Sequence, residues 1–439
     1  MKATEMRFFN ELISGIFDRS WMGKSGDRKI EELTTEDLLS AAMTTEGDVS
    51  AHVYASQLIQ RFEAMDDDKQ MMFFNQILDL GFDVDALISA AKTYKASPNA
   101  AHLSDISRTA DPKWQKLFQL FNSVPNGTIG LVHFRQKLLK AIKTNPDLGR
   151  LDIALISELR SWFNSGFLRL KPIDWTTSAI VLEKIIAYEA VHEISSWDAL
   201  RARLAPEDRR CFAFFHPAMP DEPLIFVEVA LMNDTPSAIA DVLVTPRETV
   251  DQDVANTAVF YSISNCQQGL AGISFGNFLI KQVARNLQLN LPNLTRFVTL
   301  SPVPGFRKWL QHKHTDLTTK FEDAMNIDQT GQADANQADE ALKAELCAAA
   351  GEYFLTTERP DGKPNDPVAR FHLGNGASLD RINPFGDKGA NGIKHSFGLM
   401  VNYLYELDVV EKNHEDYSQH NAVCASQDVK ELHSPGVEK

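Results

Sequence analysis

Residues 259–283 read VFYSISNCQQGLAGISFGNFLIKQV, and this stretch decides the fold. The apolar run 258–263 predicts a buried strand, and a loop with three glycines follows it. Residues 275–289 then place their apolar side chains on one stripe of a helix, and the run 297–300 predicts a second strand. Strand, loop, helix and strand in this order predict a βαβ unit with parallel strands and a right-handed crossover.

The loop of this unit brings glycines to the start of a helix. A helix N-terminus offers unpaired N–H groups and about half a positive charge, and glycines let the backbone approach a phosphate closely. The loop has neither the G-K-[ST] ending of a Walker loop nor the G-x-G-x-x-G pattern of a dinucleotide site. A plain turn and a phosphate or pyrophosphate site therefore both stay open.

The pattern of the chain changes near residue 165. Before it, apolar residues recur at the helical period, over 68–80, over 152–163 and in the stripe Trp114, Leu117, Phe118 and Phe121. After it, strands at 211–215 and 224–231 precede the βαβ unit. We predict an all-helical bundle for support and assembly at 1–165, a mixed α/β domain at 166–408 and a polar tail at 409–439.

Composition limits the classes of function. The chain has 439 residues and a net charge of −15, which argues against nonspecific nucleic-acid binding. Its four cysteines match no zinc or redox spacing and suit a reducing compartment. No apolar run is long enough for a membrane span, and the first residues, MKATEMRFFNELISG, lack the apolar core of a signal peptide. We therefore expect a cytoplasmic protein.

Two segments after the βαβ unit carry residues that could do chemistry. Ser301 follows the second strand and is followed by Pro302-Val303-Pro304-Gly305, which is either a simple turn or a serine held rigidly at the carboxyl edge of a sheet. His372 is either a core residue or a proton donor at a strand end, since its ordinary pKa suits acid–base work. Asn375, close by, could orient a ligand.

Metal binding is not indicated. His312 and His314 lack a third ligand and the H-E-x-x-H frame. Cys266 has no evident base beside it, so a buried structural thiol is the simpler interpretation.

Together, four segments resemble the malonyl-CoA decarboxylase family. They are FFHPAMPDEPLIFVEVAL at 214–231, the stretch 259–283 quoted above, TLSPVPGFRKWL at 299–310 and VARFHLGNGASLDRIN at 368–383. The resemblance runs from about residue 150 to 407, and more weakly through the helical N-terminal part. It implies a helical bundle used for assembly into a homo-oligomer, followed by a domain that resembles the GNAT acetyltransferase fold.

The resemblance also implies site residues. The family's serine and histidine correspond to Ser301 and His372, and a late tyrosine corresponds to Tyr405. The pyrophosphate of coenzyme A is expected on the loop and helix start, which here comprise Ala271, Gly272, Ile273, Ser274, Phe275, Gly276 and Asn277. Some members carry a glutamate where this chain has Ser274, so no carboxylate acts there, whereas a site built on backbone N–H groups is unaffected.

The implied reaction converts malonyl-CoA to acetyl-CoA and carbon dioxide, within fatty acid metabolism and without a cofactor. Ser301 would position the malonyl group, His372 would donate the proton, and Asn375 would contact the substrate. The alternatives are a GNAT-type acyl-CoA transferase, which would require an acceptor, and a module that binds coenzyme A without turnover. No nucleic-acid or membrane partner is expected.

Overall fold

The computed structural model describes residues 30–45, 47–244, 247–273, 276–324, 340–356 and 359–433. These residues form two compact units. Unit 1 contains the described residues up to 168 together with 216–220 and 267–273, and unit 2 contains the others. Part of the glycine-rich loop thus belongs to unit 1.

Unit 1 is helical, which confirms the prediction from the apolar periodicity. All four side chains of the stripe Trp114, Leu117, Phe118 and Phe121 are buried. A cluster of phenylalanine rings, with centroids 4.9 to 6.5 Å apart, fills the core (Phe62, Phe73, Phe74, Phe118 and Phe134). The helices are α1 (Thr35–Thr44), α2 (Asp48–Glu63), α3 (Asp67–Asp79), α4 (Val84–Ala96), α5 (Ala100–Ala110), α6 (Lys113–Asn122), α7 (Gly127–Ala141) and α8 (Gly149–Trp162).

Helices α4 and α5 pack against each other as a hairpin. Both lie wholly within the described residues, and neither contains a buried residue. Val84, Ile88 and Leu103 are each about half exposed, at 54%, 45% and 50%. The hairpin therefore leaves apolar surface on the outside of unit 1.

One mixed sheet is the framework of unit 2. Its order is β1-β2-β3-β4-β5-β8-β6, with β7 paired to β8. Strands β4 and β5 are parallel and are joined by the helix Gly276–Asn290, which confirms the predicted βαβ unit. The strands are β1 (Arg169–Ile173), β2 (Arg209–His216), β3 (Met219–Met232), β4 (Thr257–Asn265), β5 (Arg296–Thr299), β6 (Ser301–Pro302), β7 (Ser378–Asn383) and β8 (Met400–Leu404).

Strands β4 and β5 pair over their first residues and then diverge. Thr257–Phe260 pairs with Arg296–Thr299, and the N–H of Leu300 donates to the Phe260 carbonyl at 3.0 Å. Beyond this point β4 pairs with β3 as far as Asn265, whereas β6 pairs with β8. Within the described part of the chain, one edge of β4 therefore has no neighbouring strand after Phe260.

Helices cover the sheet of unit 2, so an N-terminal helical region is followed by a mixed α/β domain. They are α9 (Ala179–Tyr188), α10 (Trp197–Leu204), α11 (Ala240–Leu243), α12 (Gly276–Asn290), α13 (Phe306–Lys313), α14 (Thr315–Ala324), α15 (Glu340–Leu355), α16 (Pro367–Gly374), α17 (Ala390–Ser396), α18 (Val410–His420) and α19 (Gln427–Leu432). No helix among the described residues is both long enough and apolar enough to cross a bilayer.

The segment predicted as a polar tail, 409–439, is instead folded as far as residue 433. It forms α18 and α19, and Val410, Tyr417 and Val429 are buried. Its average polarity hides these widely spaced apolar residues, which suffice to anchor two short helices. Residues 434–439 lie outside the described residues.

Candidate active site

Ser301 lies where β5 continues into β6. The two short strands are separated only by Leu300, and β6 pairs with β8 through Ser301 and Val401. The Ser301 side chain is buried, and its Oγ lies 2.9 Å from Thr299 Oγ1, which also accepts the Tyr403 N–H at 3.1 Å. The serine is therefore held on a strand, just past the point where β4 and β5 diverge.

His372 lies on a helix rather than at a strand end, which corrects the local structure expected for it. Asp366 caps the N-terminus of α16 and Pro367 follows at the first helical position, and both residues favour a helix start. The helix places His372 Nε2 3.1 Å from Ser301 Oγ. On the other side of the ring, Nδ1 lies 2.9 Å from the hydroxyl of Tyr405.

The structure thus brings Ser301, His372 and Tyr405 into one hydrogen-bonded chain. When Ser301 donates to Thr299, its Oγ is left to accept, so Nε2 of His372 carries the imidazole proton and Nδ1 accepts from Tyr405. The imidazole also stacks on Tyr403 with ring centroids 4.5 Å apart. Packing and hydrogen bonds together fix the orientation of the ring.

Burial sets the charge states of the His372 and Tyr405 side chains. It lowers the pKa of His372 to about 3, so the imidazole is neutral at neutral pH. It also raises the pKa of the Tyr405 hydroxyl well above its usual value, so the phenol keeps its proton. The site is accordingly uncharged and can donate or relay a proton without carrying a permanent ion.

Asn375 lies at the end of the helix that carries His372. It is completely buried, and neither its Nδ2 nor its Oδ1 has a hydrogen-bond partner among the described residues. The amide lies close enough to Tyr405 to lower the pKa of that phenol slightly against the effect of burial. A buried polar group without a partner costs about 1–3 kcal/mol, which a bound ligand with polar atoms would recover.

The first half of the glycine-rich loop is held within unit 1. The buried guanidinium of Arg135 pairs with Asp152 and donates to the carbonyls of Gly269 and Ala271 at 2.7 and 2.8 Å. Gly272 adopts a φ of +80°, which a glycine tolerates without strain. Ala271 and Gly272 are exposed and Ile273 is half-buried.

The second half of the loop is described only in part. Ser274 and Phe275 lie outside the described residues, so nothing in the structure bears on their predicted role. Gly276 and Asn277 open α12, as the predicted anion site requires of the backbone.

Basic side chains near these segments are paired. Lys281 lies 2.9 Å from Glu411, and Arg307 lies 2.6 Å from Glu322. Within the described ranges, no group of three or more histidine, cysteine or acidic side chains could hold a metal ion.

Sequence reasoning missed Thr299, Tyr403 and Asp366. Thr299 and Tyr403 look like ordinary strand residues, and Asp366 looks like an ordinary helix cap in front of a proline. The alternation along 299–301 was a usable signal, because residues two apart on a strand point to the same face.

Comparison with known proteins gives consistent matches. The sequence model of the malonyl-CoA decarboxylase C-terminal domain matches residues 166–439, and that of the N-terminal domain matches 80–163. The mitochondrial malonyl-CoA decarboxylase of Anser anser anser is 36% identical over 351 residues, covering 72% of this chain and 69% of the relative. That of Mus musculus is 35% identical, covering 73% and 71%.

Solved structures agree with these sequence matches. The crystal structure of malonyl-CoA decarboxylase from Rhodopseudomonas palustris has 45% identity and a TM-score of 0.84, covering 91% of this chain and 100% of that one. The structure from Agrobacterium vitis has the same identity and TM-score, covering 91% and 99%. The chain therefore belongs to the malonyl-CoA decarboxylase family.

Proposed function

We propose that this chain decarboxylates malonyl-CoA to acetyl-CoA and carbon dioxide. One observation carries the proposal: the buried chain of Ser301, His372 and Tyr405 lies next to the unpartnered amide of Asn375. Membership of a family named for this reaction agrees with that geometry.

The free edge of β4 suits the arm of coenzyme A. The arm carries amide groups, and the edge beyond Phe260 has backbone groups that no neighbouring strand uses. An arm bound there brings the acyl group to the point where β4 and β5 diverge, beside Ser301. The pyrophosphate is proposed to bind the backbone N–H groups of 271–277, where the N-terminus of α12 favours an anion.

The reaction needs the malonyl carboxylate out of the plane of the thioester. The C–C bond to the carboxylate then breaks, its electron pair moves into the thioester carbonyl, and carbon dioxide leaves an enolate behind. When substrate binds, the Ser301 hydroxyl is proposed to turn from Thr299 and donate a hydrogen bond that positions the malonyl group. Asn375 offers a second donor for the developing oxyanion. The thioester is itself the electron sink, so we propose that no cofactor takes part.

His372 is proposed to return a proton to the α-carbon. The free imidazole is neutral because its pKa is about 3. A malonyl carboxylate placed beside it would raise that pKa, since a nearby anion favours the protonated ring. The ring takes its second proton from solvent when malonyl-CoA binds, and Nδ1–H then donates to the Tyr405 oxygen, which keeps the ring in place. The Nε2 proton passes to the α-carbon of the enolate and leaves the imidazole neutral again.

The test measures acetyl-CoA and carbon dioxide formed from malonyl-CoA without any acceptor. The native chain is compared with Ser301→Ala and His372→Asn, which we expect to lower kcat by roughly 100-fold or more. Ser396→Ala is the matched control, because Ser396 is a buried, hydrogen-bonded serine of unit 2 that contacts none of the proposed site residues.

The outcomes separate the alternatives. Turnover that survives both substitutions would keep the reaction and overturn the roles given to Ser301 and His372. Absence of turnover with malonyl-CoA still bound would favour a transferase, which an acceptor screen would reveal, or a binding module without activity.

Assembly into a homo-oligomer is proposed to use the hairpin of α4 and α5. A hairpin without buried residues and with Val84, Ile88 and Leu103 exposed gains stability if a second copy covers it. Replacing Ile88 and Leu103 by Asp should shift the chain to a smaller species in light scattering after gel filtration. An unchanged mass would remove the hairpin from the interface.

A cytoplasmic location also stays a proposal. It rests on the four cysteines, all of which are free.

A further inference from the structure

The proposed site is assembled from two distant segments of the chain. Ser301 and His372 are 71 residues apart, yet their side chains are 3.1 Å apart. Ser301 leads through Gly305 into α13, and His372 lies on α16. Their distance therefore depends on whatever holds the start of α16 against the loop after Ser301.

Asp366 is the buried side chain at this junction. It is completely buried, and its Oδ1 accepts from the N–H groups of Val368 and Ala369 at 2.8 and 2.9 Å. These bonds cap α16. Its Oδ2 accepts from the Tyr353 hydroxyl at 3.2 Å. A buried carboxylate needs such partners, because an unpaired one is very costly.

The second oxygen of Asp366 faces the loop that follows Ser301. The N–H of Gly305 lies close enough to lower the pKa of the carboxyl. A Cβ at Gly305 would lie 3.8 Å from Oδ2 and only 2.5 Å from the Tyr353 hydroxyl. Tyr353 in turn packs on Phe306 of α13, with ring centroids 5.5 Å apart. One carboxylate thus joins α16, α15 and the Ser301 loop.

We propose that Asp366 is a positioning residue for the reaction: its ionised carboxylate holds the His372 helix against the Ser301 loop and sets the Ser301–His372 distance. The inference rests on the proposed function. Asp366 acts through Ser301 and His372 and does not contact the substrate, because its oxygens already accept hydrogen bonds from Val368, Ala369 and Tyr353.

A pH profile can detect this role. Burial raises the pKa of Asp366 to about 6, although the surrounding hydrogen bonds lower it. The titratable groups that face it are Tyr353 from α15 and Tyr403 from β8, and Arg370 of its own helix acts on Tyr353. Burial raises the pKa of both tyrosines and lowers that of His372 to about 3. In the chain without substrate, Asp366 is therefore the group among these whose pKa lies between 5 and 7.

The sign of the effect separates positioning from folding. A carboxyl whose pKa is raised by folding stabilises the fold at acid pH, and this contribution is lost as the pH rises through about 6. Protonation of Asp366 therefore does not lower the stability of the fold. It does place a proton on an oxygen that has to accept a hydrogen bond. We expect kcat to fall below pH 6 while stability does not.

The test compares the pH profiles of kcat for the native chain and Asp366→Asn. Asparagine keeps the shape and the cap but turns an amide NH₂ toward Gly305, so it mimics the protonated acid. We expect kcat at pH 8 to fall by about 10- to 100-fold with KM nearly unchanged, and the acid limb near pH 6 to vanish. Glu228→Gln is the control, because Glu228 is another buried carboxyl, with a pKa of about 7, and its loss must leave the acid limb in place.

A second variant guards against misfolding. Tyr353→Phe leaves the cap intact and removes one hydrogen bond that lowers the pKa of Asp366, so the acid limb should move to higher pH. If the native chain is active and the acid limb of its kcat profile is unchanged in both variants, the role of Asp366 is overturned and the proposed function stands. An inactive native chain would instead overturn the proposed function and, with it, the inference.

Discussion

Gly305 offers a quantitative test of the junction behind the proposed site. Its φ of −95° and ψ of −12° are open to any residue, so Gly305→Ala introduces no backbone strain. The added Cβ, however, would lie 2.5 Å from the Tyr353 hydroxyl, whereas ordinary contacts begin near 3.4 Å. Tyr353 or the loop must therefore move by about 0.9 Å. Overpacking of this kind costs about 1–3 kcal/mol.

Removing the hydroxyl should abolish that cost. In Tyr353→Phe the atom that remains nearest to the new Cβ is the ring carbon at 3.7 Å, an ordinary contact. Tyr353→Phe alone should cost about 1 kcal/mol for its lost hydrogen bond. Adding Gly305→Ala to it should then be neutral, or stabilising by up to about 1 kcal/mol, because alanine restricts the unfolded chain. The double variant should therefore be more stable than the sum of the two single effects predicts, by about 1–3 kcal/mol.

The assay is urea unfolding of the four chains at pH 8, where Asp366 is ionised, together with kcat for each. Gly149→Ala is the control, since no atom lies within 4 Å of its Cβ position. We expect the double variant to regain much of the kcat lost by Gly305→Ala. An alanine at 305 that is equally destabilising with and without the Tyr353 hydroxyl would refute the clash as the cause.

Three further predictions concern Gly376, Glu228 and Arg135. Gly376→Ala should lower stability by roughly 3 kcal/mol or more, because its φ is +85° and the Cβ would lie 1.9 Å from the Val410 carbonyl oxygen; thermal unfolding checks this. Burial raises the pKa of Glu228 to about 7, so the stability that this group contributes at acid pH is lost as the pH rises toward 7. Glu228→Gln should escape this loss, and its unfolding free energy relative to that of the native chain should rise by about 2.5 kcal/mol between pH 5 and 8. Arg135→Lys should raise KM for malonyl-CoA more than it lowers kcat, which steady-state kinetics would measure. The reason is that a lysine amine cannot bind the Gly269 and Ala271 carbonyls and Asp152 at the same time.

The elements that the sequence predicts best are those whose signal is local. The βαβ unit is one, because the apolar runs of β4 and β5 and the stripe of α12 each lie within a short window. Strand β1 escapes prediction because it is an exposed edge strand that contains Pro172. Strand β6 has only two residues and exists because β8 pairs with it.

The site is predictable only to the extent that a family resemblance supplies it. Spacing along the chain gives no reason to place Ser301 beside His372 or to bring Tyr405 to the other ring nitrogen. The local structure of His372 follows from Asp366 and Pro367, a cap and a first-turn proline that the sequence displays openly. What no sequence pattern reveals is that the second oxygen of Asp366 faces another segment.

Burial acts on both reacting partners in the same direction. In the chain without substrate it depresses the pKa of His372 from 6.5 to about 3, which disfavours the imidazolium by roughly 5 kcal/mol relative to one in water. A carboxylate brought to the same place is desolvated as well. In the proposed reaction both charges disappear together: the carboxylate leaves as carbon dioxide, and the imidazolium proton ends on the α-carbon. A buried, neutral relay of Ser301, His372 and Tyr405 therefore favours the uncharged products over the bound ion pair, which explains how a site without a permanent charge can promote loss of one.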